Sequence, residues 1–406
     1  MQSFLNPYRP GAGQPPPYLA GREKEANQFR VLLKQKPILK NLVITGLRGV
    51  GKTVLLESLK LEAVTSGWFW AGTDLSESAS VSEQNLSIRI LTDLSSLVSS
   101  FTIAEEERSS IGFITKTEKI ESKLNYTTLF SIYTVTPGLE ADKLKHVLEF
   151  IWNVVKSRVQ GIVIAYDEAQ ILKDRAEDKQ YPLSLLLEVI QYMQRKEIPY
   201  LLVLTGLPTL VSTLSETRTY SERMFEIITL TKLTDNETRT AIMAPLQKTK
   251  CPVTFSEHGI NEIIKHSSGY PYFIQFFCKE TFDSVVQQIN VGVETPSVVI
   301  SEFVRKLDRD FYAARWSRVT DRQRELLTVI ARLPNANEEF TTKEISDKSV
   351  EVLENPFAPA YVVNSLIKLA SSGLIFKNRR GKYSFAVPLL ADYINRNATE
   401  AEGFSF

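Results

Sequence analysis

Hydrophobic positions in this chain follow two alternating rhythms. Over residues 23–36, Ala26, Phe29, Leu32 and Leu33 recur at helical spacing. Continuous apolar runs then occur at Leu42-Val43-Ile44, residues 68–72, residues 162–166 and residues 200–205. Helical patterns over 54–60, 84–101, 141–159 and 183–195 separate them. Strands that are apolar throughout and divided by helices predict a parallel sheet covered on both faces. The expected fold class is therefore α/β with a doubly wound parallel sheet. One stretch breaks the rhythm: residues 111–137 read as β-like, with Ile111-Gly112-Phe113-Ile114 expected to pair with Leu129-Phe130-Ser131-Ile132-Tyr133 as a hairpin. This marks an insertion over about 105–140. Beyond Leu233 strand patterns stop, and helical ones run to about Phe311. Residues 6–17 are rich in proline and glycine and predict an extended arm.

The sharpest local signal is Gly46-Leu47-Arg48-Gly49-Val50-Gly51-Lys52-Thr53. It follows the apolar run of residues 42–44 and precedes the helical Val54-Leu55-Leu56, the strand–turn–helix context a phosphate-binding loop requires. Its glycines let successive N–H groups point inward at phosphate oxygens, and the new helix aims its positive end at the same place. Lys52 can reach the outer phosphates, and the Thr53 hydroxyl can ligate Mg²⁺. The plain alternative is an ordinary glycine turn. Asp167-Glu168 closes the strand over 162–166, where doubly wound sheets bind ligands. Asp167 is expected to hold Mg²⁺ through its shell and Glu168 to orient the attacking water, the other reading being a solvated acidic pair capping the next helix. Thr205 ends the following strand, and its hydroxyl can bond the water or a γ-phosphate, although threonine is also an ordinary strand-end residue. Arg223, before the apolar Ile227-Ile228-Thr229-Leu230, is a candidate to neutralise phosphoryl charge in a neighbouring subunit, with Arg218 as competitor and a surface pair with Glu222 or Glu226 as the alternative.

These motifs, with Gly21-Arg22-Glu23, Thr205-Gly206-Leu207-Pro208 and Gly269-Tyr270-Pro271, make the chain resemble an AAA+ ATPase of the group that holds origin-recognition-type initiators and STAND signalling ATPases. The resemblance spans about residues 18–275. It implies that Tyr18, Leu19 and Ala20 flank an adenine, that a helical lid over 233–312 closes on the base, and that Pro271 touches adenine or ribose. It also implies a core over 18–232, behind the arm of residues 1–17. Initiators of this kind carry a lid arginine; here the turn reads Tyr272-Phe273-Ile274-Gln275, which favours slow regulatory hydrolysis.

The tail, about residues 313–400, has a pattern of its own. Thr320 is expected to cap a helix, followed by a short helix over 342–346 and a longer one over 360–370. Apolar runs over 374–376 and 383–387 flank Lys377-Asn378-Arg379-Arg380-Gly381-Lys382, in which Asn378 and Gly381 supply turn chemistry. Three helices before a basic hairpin resemble a winged helix. In that reading Tyr361, Asn364, Ser365 and Lys368 face a major groove of duplex DNA while Arg379, Arg380 and Lys382 touch phosphates. A winged helix used for contacts with an unidentified protein partner is the alternative.

Composition narrows the field. At 406 residues, two or three domains are expected. A net charge of +1 supplies no global field for nucleic acid, so any such binding needs a local patch. Two cysteines, Cys251 and Cys278, argue against a disulfide scaffold and fit a reducing cytoplasm. No apolar run reaches membrane-spanning length. The leading expectation is an ATP/ADP-binding, Mg²⁺-dependent ATPase switch that self-associates with ATP and is tethered to DNA. The runner-up is a signalling or defence ATPase held closed by nucleotide.

Overall fold

The computed structural model describes residues 5–11, 13, 15–99, 101–109, 117–217, 221–249, 253–379 and 381–403. The chain forms two compact units, one of Arg22–Thr45 and Leu55–Thr229, the other of Met1–Gly21, Gly46–Val54 and Leu230–Phe406.

The first unit follows the order α1 (Glu23–Leu33), β1 (Asn41–Gly46), α2 (Lys52–Thr65), β2 (Trp68–Ala71), α3 (Glu83–Val98), β3 (Thr102–Ser109), β4 (Thr117–Lys123), α4 (Tyr126–Val135), α5 (Glu140–Val155), β5 (Gly161–Tyr166), α6 (Pro182–Arg195), β6 (Tyr200–Gly206), α7 (Thr209–Thr217), α8 (Ser221–Met224) and β7 (Phe225–Leu230). The end of β1 and the first turn of α2 belong to the second unit. The sheet order is β2-β5-β6-β1-β7, with β2, β5, β6 and β1 mutually parallel. Every residue of β1, β5 and β6 is buried, as the unbroken apolar runs require. Asn41 opens β1 in full burial because its amide stitches the sheet: Oδ1 accepts the Leu202 N–H at 2.9 Å and Nδ2 donates to the Met224 carbonyl at 3.3 Å.

The expected hairpin is corrected. β3 pairs antiparallel with β4, whereas Leu129 to Tyr133 lie inside helix α4, capped by the Asn125 side chain. Leu129 and Tyr133, four residues apart, bury on one face of that helix, a 3.6-residue period that short apolar runs conceal. Ile111, Gly112, Phe113 and Ile114 lie outside the described residues.

In the second unit come α9 (Asp235–Lys248), α10 (Glu257–Ser267), α11 (Pro271–Asn290), α12 (Ile300–Leu307), a π turn over 308–312 and α13 (Ala313–Trp316). These are followed by α14 (Asp321–Ala331), β8 (Phe340–Thr341), α15 (Thr342–Val352), α16 (Pro359–Ser371), β9 (Ile375–Arg379), β10 (Lys382–Phe385) and α17 (Leu390–Gly403). Thr234 and Glu237 open α9 with a reciprocal cap, the Glu237 N–H donating to Thr234 Oγ1 at 3.3 Å and the Thr234 N–H to Glu237 Oε2 at 2.8 Å. Thr320 caps α14 as its position before the helix predicts, accepting from the Gln323 N–H at 3.4 Å. β8, β10 and β9 form a small antiparallel sheet in that order. One tail expectation changes, since α15 extends to Val352; after β10 comes α17, packed on α14. Among the described residues no helix is long and apolar enough to cross a membrane.

Candidate functional site

β1 runs directly into the glycine-rich loop. Gly49 and Gly51 adopt φ of +79° and +93°, values open to glycine at little cost, and so turn the backbone back on itself before α2. Val50 is buried, Leu47 half-buried and Arg48 exposed. Lys52 is 8% exposed, and its Nζ donates to the Gly46 and Leu47 carbonyls, each at 3.0 Å. The loop thus folds around its own lysine. Thr53 and Val54 occupy the first turn of α2, at the positive end of its dipole. Within the same unit, Pro271 opens α11 beside this loop, where the Tyr272 N–H donates to the Gly49 carbonyl at 3.2 Å.

The acidic pair lies in the other unit, at the carboxyl ends of the parallel strands. Register sets Ile44 beside Thr205 and Tyr166 beside Leu204, so β1, β6 and β5 end level with one another. Asp167 is 2% exposed, and its Oδ1 accepts both the Glu168 N–H, at 2.8 Å, and the Thr205 hydroxyl. Its backbone is gripped as well: the Asp167 N–H donates to the Thr73 carbonyl at 3.2 Å, and the Leu75 N–H to the Asp167 carbonyl at 3.1 Å. Glu168 is exposed and left-handed, at φ +52°, an uncommon conformation for a residue with a Cβ. Gln170 ties it down, Nε2 donating to Glu168 Oε2 while its Oε1 accepts the Leu207 N–H at 3.0 Å.

The hydroxyl of Thr205, a fully buried residue, donates to the Asp167 carboxylate and so orients that acid. Two further features escaped the sequence reading. Asp74, just past the end of β2, has its carboxyl pKa raised by burial and then by the charges of Asp167, Glu168 and Glu57. The same signal that marks Asp167, an acid closing an apolar run, was available there. Behind β5, the Tyr166 hydroxyl donates to Asp93 Oδ2 at 3.2 Å, and Arg89 clasps the same carboxylate. Burial, then Asp93, push the Tyr166 phenol well above its ordinary pKa, so it stays a neutral donor that fixes the strand end.

The remaining candidates separate clearly. Tyr18 and Leu19 are half-buried and Ala20 is 6% exposed, packed with the α9–α11 core. The turn from Tyr270 to Gln275 carries no arginine, but Arg315 on α13 is half-buried over the Phe311 ring, 4.3 Å from its centroid. Burial, then the charge of Arg48, lower its pKa from the ordinary arginine value. Arg223 is exposed on α8, while Arg218 lies outside the described residues. In the tail, Asn364 and Lys368 are exposed on α16, but Ser365 is 4% exposed and faces inward, so it cannot meet a groove. The helix period that exposes Asn364 and Lys368 buries their neighbour. Tyr361 is half-covered, stacked on Phe357 at 5.3 Å with Arg322 nearby. Lys382 is half-buried, Gly381 supplies the turn at φ +75°, and Arg380 lies outside the described residues, as does the Arg379 side chain. Asn378 belongs to β9 instead of the turn, its Nδ2 donating to Glu339 Oε1 at 2.9 Å and Ser384 Oγ at 2.8 Å. Among the described residues, no group of three or more His, Cys, Asp or Glu forms a metal cluster.

Comparison with known proteins shows the fold. The chain is similar to the Walker-type ATPase PABY2304 of Pyrococcus abyssi, with a TM-score of 0.57 at 16% identity over 93% of this chain and 96% of that one. It is also similar to the ORC2 protein of Aeropyrum pernix, solved in ADPNP–ADP complexes (TM-score 0.54, 15% identity, 97% of this chain and 98% of that one) and in an ADP form (TM-score 0.56, 14% identity, 98% of each chain). The fold class read from the sequence, α/β with a parallel sheet, is that of these structures. A family described as a domain of unknown function (DUF8462) matches residues 309–394. No curated protein matches the sequence.

Proposed function

We propose that this chain is an ATP-binding switch that hydrolyses ATP slowly with Mg²⁺, with ADP as the product state. The observation that carries the reading is the convergence of strand ends. A buried Asp167 held by Thr205 closes β5 and β6, level with the end of β1, and β1 continues into a loop folded around Lys52. In this reading the glycine loop turns backbone N–H groups toward phosphate oxygens, and Thr53 and Asp167 are the two hard oxygen ligands of the type with which such sites hold Mg²⁺. Bound there, Mg²⁺ supplies charge neutralisation at the transferring phosphoryl oxygens. Lys52 exchanges its two carbonyl partners for outer phosphate oxygens. Glu168, braced by Gln170, holds the attacking water and takes its proton. Tyr18, Leu19, Ala20 and Pro271 flank the adenine, and α9 to α13 serve as the lid. Arg223, exposed and unencumbered by burial, reaches a neighbouring copy's phosphates when the chain self-associates.

The tail, α14 to β10, serves as a winged helix. Of its candidate DNA face, Asn364, Lys368, Lys382 and Tyr361 retain exposed surface and Ser365 is buried, while Arg380 and the Arg379 side chain lie outside the described residues. The burial of Ser365 favours the second reading, in which the module grips a protein partner. One experiment tests both: ATP uptake, turnover and solution mass, with and without duplex DNA, for wild type, Lys52→Ala and Arg223→Ala. Lys52→Ala should lose nucleotide uptake, and Arg223→Ala should bind ATP but turn over more slowly. DNA should accelerate wild type; indifference to DNA selects the protein-partner reading. Retained uptake in Lys52→Ala sinks the ATPase assignment.

A further inference from the structure

The sequence presents residues 6–17 as an extended arm, and its described residues are fastened down. Tyr8 is 2% exposed, its ring stacked on Phe255 at 6.0 Å and edge-on to Phe282 at 6.5 Å, and its hydroxyl donates to the Ile242 carbonyl. Asn6 Nδ2 donates to the Lys279 carbonyl at 3.1 Å and to Asp283 Oδ1 at 2.6 Å, and the Arg9 N–H donates to Gln275 Oε1 at 3.0 Å. A second tie lies downstream. Lys248 Nζ donates to the Pro17 carbonyl at 3.2 Å and sits 5.1 Å over the Tyr18 ring, and Ala20 is buried. The first tie ends on α9 and α11 and the second on α9.

Between them the arm meets the phosphate loop. Gly13 has φ +67°, and a Cβ placed there would come within 3.3 Å of the Thr53 methyl group. On another side of the loop, the Tyr272 N–H at the start of α11 holds the Gly49 carbonyl. Every one of these contacts lies within a single unit of the fold. The sequence explains why an arm can be held so: Pro7, Pro10, Pro15, Pro16 and Pro17 restrict the unfolded backbone, which lowers the entropy lost on fastening it.

We propose that the N-terminal arm is a strap across the nucleotide site, with Gly13 a site residue over Thr53, and that a bound triphosphate leaves only when the Tyr8 tie releases. This inference rests on the ATP-binding reading above and adds its regulation: the off-rate is set by the arm, not by the loop. A partner that captured Tyr8 would accelerate exchange without touching the phosphates.

The test is release of a fluorescent ATP analogue from the full-length chain, followed by stopped flow, for wild type, Tyr8→Ala, Tyr8→Phe and Gly13→Ala. Tyr8→Ala should raise the release rate about tenfold or more, since losing an anchor acts mainly on dissociation. Tyr8→Phe, which keeps the packing and loses one hydrogen bond, should fall between it and wild type. Gly13→Ala should weaken binding by forcing a side chain into a left-handed backbone against Thr53. Hydrogen exchange supplies a readout independent of rate: amides of residues 5–20 should slow when the analogue binds. Wild type that binds nothing removes the nucleotide reading and the strap together. Tight binding with unchanged release in Tyr8→Ala, or unchanged exchange over the arm, removes the strap alone.

Discussion

Thr205→Val isolates the bond on which the acidic end of the site depends. The substitution keeps the shape of a fully buried side chain and deletes the hydroxyl that donates to Asp167 Oδ1. A hydrogen bond to a charged acceptor contributes about 1.5–3 kcal/mol, and here the acceptor is only 2% exposed, so water cannot readily replace the lost donor. The expected loss is therefore ~2 kcal/mol, which at ~2–4 °C per kcal/mol for a domain of this size lowers the melting temperature by ~4–8 °C. Thr205→Ser, which retains the hydroxyl, should recover most of the difference. A double-mutant cycle with Asp167→Ala then separates this bond from general disruption, because residues in contact show coupling of about 0.5–3 kcal/mol. Denaturant titration of the four proteins, read by circular dichroism, gives each stability. Should the two single losses simply add, or should Thr205→Val melt with wild type, the hydroxyl is not holding the acid and the orientation argument fails.

Two further outcomes follow from the same end of the sheet. Gly72, at φ +134°, lies where a Cβ would stand 1.7 Å from the Ala165 carbonyl oxygen, so Gly72→Ala must displace β2 from β5. It should cost at least ~3 kcal/mol in denaturant titrations, and a loss below ~1 kcal/mol would contradict the strand packing described. Asp74 carries a raised pKa, so the folded state holds its proton more tightly than the unfolded chain. Its ionisation consequently subtracts stability at neutral pH, a penalty relieved as pH falls through the raised value toward the ordinary 3.8. Asp74→Asn should therefore stabilise the protein at pH 7, with the gain fading in acid; a gain that grows on acidification would reverse the assignment.

Local sequence alone determined the parts of this protein whose cause is local. Unbroken apolar runs specified strands buried on both faces, 3.6-residue spacing specified the long helices, and Gly46 to Thr53 specified the glycine-rich turn from β1 into α2, because turn conformation and helix start sit within eight consecutive residues. Thr320 was legible as a cap for the same reason. What the tertiary structure decided were pairings between distant positions. The hydroxyl of Thr205 on Asp167 joins residues on neighbouring strands, and Asp74 matters only because β2 lies beside β5. Whether residues 129–133 formed strand or helix, and whether Ser365 faced outward or inward, depended on which surface packed over them. The arm is the clearest case: proline content predicted its extended backbone, but its Tyr8 is fastened by Phe255, Phe282 and Ile242, residues more than two hundred positions away that no periodicity connects to it.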